Sequence, residues 1–264
     1  MNVLITGVAG LLGSNFAKFL INKNYNVIGI DDLSGGYEDF IPEQVSFYKI
    51  NLLENKKLEE IFEKENIEYV YHFAAYASEG LSPYIRRFNY ENNLISSVNL
   101  INCCINYNIK KIIFTSSMAV YGEQNPPFTE HMLPSPVDPY GIAKYSIEQD
   151  LKLAKDKFGL DYTIIRPHNV IGINQNIWDK YRNVIGIWIR RVLNGETISV
   201  YGDGKQTRAF SDIKFYMNPF EKVLNNFSGE IFNIGADKEF RIIDVAEKVK
   251  NITNSFGYKK DIEF

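Results

Sequence analysis

The chain has 264 residues, 45% of them hydrophobic, with 32 acidic and 29 basic side chains and a net charge of −3. That length suits one large α/β domain, or a main domain with a smaller lobe, and the hydrophobic fraction suffices for a sizeable core. The charge balance offers nothing to nucleic acid or an anionic membrane, and no apolar run approaches the roughly 20 residues of a membrane span.

The opening residues, MNVLITGVAG, enter a strand at once and lack the charged n-region and cleavage site of a signal peptide, the pattern expected of a cytoplasmic protein. Short apolar runs then alternate with helical stretches, which predicts a parallel sheet with crossover helices. Strands are expected at 2–6, 26–31, 45–50, 68–73, 111–116 and 161–166, with helices near 12–22, 56–65, 84–107 and 140–157. The expected fold is a doubly wound α/β sheet of the Rossmann type with about six or more strands. Cys103 and Cys104, the only cysteines, fall in the third helix and read as ordinary buried thiols without disulfide or metal spacing.

After Arg166 the texture changes. Residues 167–181 read as a loop, a helix near 182–194 ends at Gly195, and a short strand at 197–201 precedes the turn GDG. A strand at 230–235 and a helix at 242–253 follow. These pieces are too few for a core of their own, so residues 1–166 are read as a nucleotide-binding core. Residues 167–264 are read as mainly a small lobe, with segments returning to the core.

Gly7, Gly10 and Gly13 form GVAGLLG between the first strand and the first helix. Glycines allow a tight turn and close approach to a pyrophosphate, and the helix N-terminus supplies N–H donors and a positive dipole. A plain strand-to-helix turn also uses glycine, but here Asp31 stands at the end of the second strand. A carboxylate there can accept both adenosine ribose hydroxyls and would repel a 2′-phosphate, which points to NAD rather than NADP. Tyr140 and Lys144 lie four residues apart at the start of a helix and so share a face. A phenol is a poor base at neutral pH, and a nearby ammonium favours its phenolate. A bare YxxxK can also be a surface pair. The glycine turn upstream and the hydroxyls of Thr115, Ser116 and Ser117 ending a strand favour catalysis.

These stretches together resemble the extended short-chain dehydrogenase/reductase family. Within it the chain is most similar to the nucleotide-sugar epimerases and dehydratases, above all the 4-epimerases of the UDP-galactose type. The resemblance runs through GVAGLLG, HFAAYAS (72–78), NNLISSVNLI (92–101), TSSMAVYG (115–122), PYGIAK (139–144), RPHNVIG (166–172) and YGDGKQTRAF (201–210). It implies Tyr140 as acid/base, Lys144 as tuner of its pKa and ribose anchor, and Ser117 as proton relay. It places Gly7, Gly10, Leu11, Leu12 and Gly13 at the NAD pyrophosphate, Asp31 with Asp32 and Ser34 at the ribose, and Asn51 and Leu52 at the adenine. Phe73, Ala74 and Ala75 would line the cofactor, with Asn93 near the nicotinamide side. Asn169 and Arg208 would hold the diphosphate of a UDP-sugar, Tyr201 the uracil or its ribose, and His168 would face the sugar. His72, at a strand end, is expected to be a satisfied core residue. No metal constellation is visible, and the helices at 84–107 and 140–157 could form the homodimer interface common in the family.

Related dehydratases carry an acidic pair, or a glutamate, just after the strand-end serine or threonine. Met118 and Ala119 supply no proton carrier, which favours 4-epimerisation by transient oxidation at C4 over 4,6-elimination. Three departures accompany the resemblance. Asn51 stands where an acidic residue is usual, and Lys214, Phe215 and Pro219 interrupt an expected acidic turn and helix. The sequence also stops at DIEF, so the C-terminal substrate lobe is expected to be short. A different reductase or dehydratase of nucleotide sugars, and a catalytically weak NAD-binding protein, remain the alternatives.

Overall fold

The computed structural model describes residues 1–264. Taken in chain order, β1 (Asn2–Thr6) leads into α1 (Leu11–Ile21), β2 (Asn26–Asp31) and β3 (Ser46–Lys49). Next come α2 (Asn55–Glu65), β4 (Tyr69–His72), α3 (Arg86–Tyr90), a π-turn (Glu91–Ile95) and α4 (Ser96–Asn106). β5 (Lys111–Thr115), α5 (Pro139–Phe158) and β6 (Tyr162–Pro167) complete the region assigned to the core. The remaining chain forms β7 (Val170–Ile171), α6 (Val184–Leu193), β8 (Ile198–Ser199), β9 (Thr207–Ala209), β10 (Ser211–Asp212) and α7 (Met217–Lys222). It ends with β11 (Glu230–Ile234), β12 (Glu239–Arg241), α8 (Ile242–Ser255) and β13 (Ile262–Glu263).

Seven strands form one sheet in the order β3-β2-β1-β4-β5-β6-β11, and every pairing is parallel. Parallel strands bury both faces, and alternate residues face opposite layers. Leu4, Ile28, Val70 and Ile112 join one apolar cluster, while Val3, Ile5, Tyr71 and Ile113 join the other. Each such fully buried side chain contributes about 1.5–3 kcal/mol relative to exposure. The strand order reverses between β1 and β4, and the crevice at their carboxyl ends is where this topology binds ligands.

Two helices set the geometry of that crevice. In α1 the buried Gly13, Phe16, Ala17 and Leu20 recur at helical spacing. In α5 the Asp138 carboxylate caps the N-terminus, accepting from the backbone N–H of Tyr140 (2.9 Å) and Gly141 (3.0 Å). Pro139 occupies the first turn of α5, and Gly159, with φ of 75°, ends it.

The late segments depart from expectation in two respects. Trp188, Val192, Ile198, Val200, Ile242, Ala246 and Val249 form a third buried cluster, so α6, β8 and α8 do build a small core of their own. Pro219 does not cut a helix, because it falls in the first turn of α7, where its missing N–H has no partner to lose. The final residues are tied in as well, since β13 pairs in parallel with β8. Both cysteines are free and buried, and no helix is long and apolar enough to cross a membrane.

Candidate active site

The crevice opens over the first turn of α1. Gly7 has φ of +71°, and a Cβ there would lie 2.7 Å from the Ala74 nitrogen. A Cβ on Gly13 would lie 2.1 Å from the Gly7 carbonyl oxygen, so glycine is required at both positions. Gly10 caps α1 without a side chain, and the N–H groups of Leu11, Leu12 and Gly13 begin the helix without intrahelical acceptors. Asp31, at the end of β2, accepts from the N–H of Ala9 (3.0 Å) and Leu33 (2.8 Å). Burial raises its carboxyl above the ordinary range, and the two amides oppose that. Around it a recess is lined by Asp32, Ser34, Asn51, Leu52, Phe73, Ala74 and Ala75. Asn51 donates from Nδ2 to Asp32 at 2.6 Å, where a carboxylate would repel Asp32. A cradle closed to any Cβ, a free helix N-terminus and a carboxylate at the far end together fit a dinucleotide.

Beyond α1 the crevice widens into a cleft of about 590 Å³. Ser117, Tyr140 and Lys144 share one wall and are nearly buried, at 9%, 5% and 2% exposure. Ser117, two residues beyond β5, caps the short 3₁₀ turn Met118–Tyr121, its Oγ accepting from Ala119 N–H at 3.1 Å. Burial raises the Tyr140 phenol well above its usual range. The charge of Glu79 adds to that rise, whereas the Ser117 hydroxyl and the Arg182 charge lower it. Lys144 donates from Nζ to the Thr115 carbonyl at 2.8 Å, with Nζ 5.8 Å from the centre of the Tyr140 ring. Burial pulls its ammonium down to about 7.

The other expected positions divide. Asn169, Tyr201 and Arg208 line the cleft. Asn169 donates from Nδ2 to the Ala209 carbonyl (3.0 Å), and Tyr201 is 86% exposed at the rim. His168 is not among the lining residues; it lies beside Gly235, where an added Cβ would come within 3.1 Å of the His168 Cβ. Asn93 does not line either recess, and its neighbours Asn92 and Ser96 take that position beside the adenosine end. The π-turn directs Asn93 inward instead, where Oδ1 accepts from Tyr76 N–H (2.7 Å) and Nδ2 donates to the Tyr76 carbonyl (3.1 Å). His72 is a satisfied core residue, held by Thr6 Oγ1 (2.7 Å) and Ser97 Oγ (2.8 Å), and burial pushes its pKa down to about 3.

Three features were missed in the sequence. Glu79 follows HFAAYAS and lines the cleft; it is open to the cleft by area, yet the surrounding walls raise its carboxyl, with Asp138 adding and Arg208 opposing. Arg182, within WDKYRN, borders both the adenosine recess and the cleft. Behind the wall, Arg166 donates from Nε (2.9 Å) and Nη2 (2.5 Å) to Glu148, and Ser116 Oγ donates to the same carboxylate. A charged residue inside HFAAYASEG and an arginine in an aromatic loop were the only local signals.

This groove and wall define an NAD-dependent enzyme of the doubly wound type. The NAD dependent epimerase/dehydratase family model matches residues 3–235, and the chain belongs to that family. It is 30% identical over 270 residues to a UDP-glucose 4-epimerase of Halalkalibacterium halodurans, covering 96% of this chain and 80% of that protein. The UDP-glucose 4-epimerase of Thermotoga maritima, solved with UDP-glucose, superposes with a TM-score of 0.92 at 33% identity, covering all of this chain and 85% of that one. The UDP-N-acetylglucosamine 4-epimerase of Methanobrevibacter ruminantium M1, solved with UDP-N-acetylmuramic acid, gives a TM-score of 0.89 at 34% identity, covering 99% of this chain and 84% of that one.

Proposed function

We propose that the protein is a 4-epimerase of a UDP-sugar, of the UDP-glucose/UDP-galactose type, working with resident NAD. The observation that carries this reading is the meeting of Ser117 and Tyr140 on one cleft wall beside the cofactor groove, with Met118 and Ala119 following inertly. NAD, held by the glycine cradle and Asp31, would supply hydride exchange at C4. Tyr140 takes the proton from the C4 hydroxyl and returns it, Ser117 holds that hydroxyl by hydrogen bond, and Lys144 anchors the nicotinamide ribose. Asn169 and Arg208 would hold the substrate diphosphate, Arg208 by charge-assisted hydrogen bonds, with Tyr201 near the uracil. Exposed Tyr84, Ile95, Leu153 and Phe158, on and beside the packed α4 and α5, support a homodimer.

Purified protein incubated with UDP-galactose or UDP-N-acetylgalactosamine, without added cofactor, is expected to form the 4-epimer. No conversion of either by protein shown to carry NAD would overturn the reading.

Glu79 favours one second reading. Its carboxyl is a further proton carrier in the cleft, which 4,6-dehydration would need, so the exclusion drawn from Met118 and Ala119 covers only their own turn. A 4-keto-6-deoxy product, seen by NMR, would identify that reaction. Glu79→Gln tests the electrostatics under either chemistry. Because Glu79 raises the Tyr140 pKa, its neutralisation lowers it, and the acid limb of the pH profile of kcat/KM is expected to move to lower pH. An unmoved limb would show that the two groups are uncoupled, and an upward shift would show that Glu79 acts on Tyr140 with the opposite sign.

A further inference from the structure

Residues 172–183 cross the cofactor groove and are tied to both of its banks. On one bank, Asn15 Nδ2 donates to the Ile173 carbonyl (2.9 Å) and Asn174 Nδ2 donates to Ser14 Oγ (3.1 Å), both near the start of α1. On the other, Asn176 Nδ2 donates to the Gly35 carbonyl (3.1 Å), and the Tyr37 hydroxyl donates to Asn176 Oδ1 (3.2 Å).

Arg182 lies at the end of this strap with its side chain 21% exposed. Its guanidinium stacks on Tyr76, 4.4 Å from the ring centre. Nε lies 3.1 Å from Asp179, its only carboxylate neighbour within ion-pair distance. The angle of that contact is too poor for a hydrogen bond, so the buried Nε has no acceptor. The Nη edge lies over Gly35, where a Cβ would meet Nη2 at 2.9 Å and Nη1 at 3.0 Å. Arg182 thus borders the adenosine recess on one side and the catalytic cleft on the other. Between those two lies the first turn of α1, where the two phosphates of a dinucleotide must sit.

We propose that Arg182 is a cofactor-binding residue: the 172–183 strap carries its guanidinium over the groove, where it clamps the NAD diphosphate against the α1 N-terminus. A planar fork suits paired phosphate oxygens. The strap is fastened to both banks and must unfasten before NAD can leave, so NAD behaves as a resident group.

The experiment compares wild type, Arg182→Ala and Arg182→Lys after gel filtration, quantifying NAD released on denaturation. The exchange of bound NAD against excess labelled NAD is then followed in each. Wild type is expected to keep its NAD, and Arg182→Ala to exchange it about ten- to hundredfold faster. Arg182→Lys should fall between them, because the ammonium keeps the charge and loses the fork. Affinity for UDP, measured by calorimetry, should be the same in all three. Equal NAD content and exchange in wild type and Arg182→Ala overturns the proposal. Weakened UDP binding with unchanged NAD exchange also overturns it, and moves the guanidinium to the substrate diphosphate. Circular dichroism reports folding, and if the alanine variant does not fold, the lysine variant decides by the same readouts.

Discussion

Tyr140→Phe is expected to lower turnover by roughly 10²–10⁴-fold while leaving NAD bound. The phenol oxygen is the only atom removed. The ring stays packed at the start of α5, whose N-terminus is fixed by Asp138 and Pro139 rather than by the hydroxyl. NAD is held elsewhere, by the glycine cradle and Asp31. Turnover and NAD content should therefore separate in this variant. Burial makes the phenol a reluctant acid in the ligand-free site, so proton release from it depends on charges brought close to it. A fully active Tyr140→Phe would place the acid/base elsewhere, with Glu79 the next candidate in the cleft.

The second large effect is on stability. Glu148→Leu should destabilise the fold by about 3–5 kcal/mol, lowering Tm by roughly 6–20 °C, because it strands a buried guanidinium. The side chains of Arg166 and Glu148 are 2% and 0% exposed and make two direct hydrogen bonds. Arg166 also donates to the Tyr121 hydroxyl (2.6 Å), which donates to Asn233 Oδ1 (2.9 Å). With Ser116, the residue after β5, the network thus ties the end of that strand, the turn after Ser117, α5, β6 and β11 together. Replacing both partners, Glu148→Leu with Arg166→Met, should recover most of the loss, since neither charge is then left unpaired. Thermal and denaturant unfolding of the single and double variants decides it, and a single variant within about 1 kcal/mol of wild type would contradict it.

Arg166 also shows where a linear reading stops. It marks the end of the last expected core strand, and the texture of the chain does change there. In the fold it is the centre of a buried network whose members come from four elements and the connection after β5. Likewise the helix expected at 84–107 is interrupted by the π-turn Glu91–Ile95, which turns Asn93 toward the Tyr76 backbone. Regular helical spacing could not foresee that turn, because it answers the backbone groups of a distant loop. His168 illustrates the same limit: the stretch RPHNVIG was legible, but only the packed structure lines the cleft with Pro167, Asn169 and Val170 and not with His168.

What the sequence by itself determined was local: the glycine turn after β1, Asp31 at the end of β2, the hydroxyls at and just after the end of β5 and the helix start bearing Tyr140 and Lys144. Each depends on backbone sterics or on spacing within a single element, which a short stretch of residues fully specifies. The tertiary structure alone decided that Glu79 shares the cleft, that Arg182 lies over the groove, that Asn93 turns inward, and that the late segments have a core. Those outcomes depend on burial and on charges meeting across long loops, and such contacts exist only once the sheet and its helices have packed.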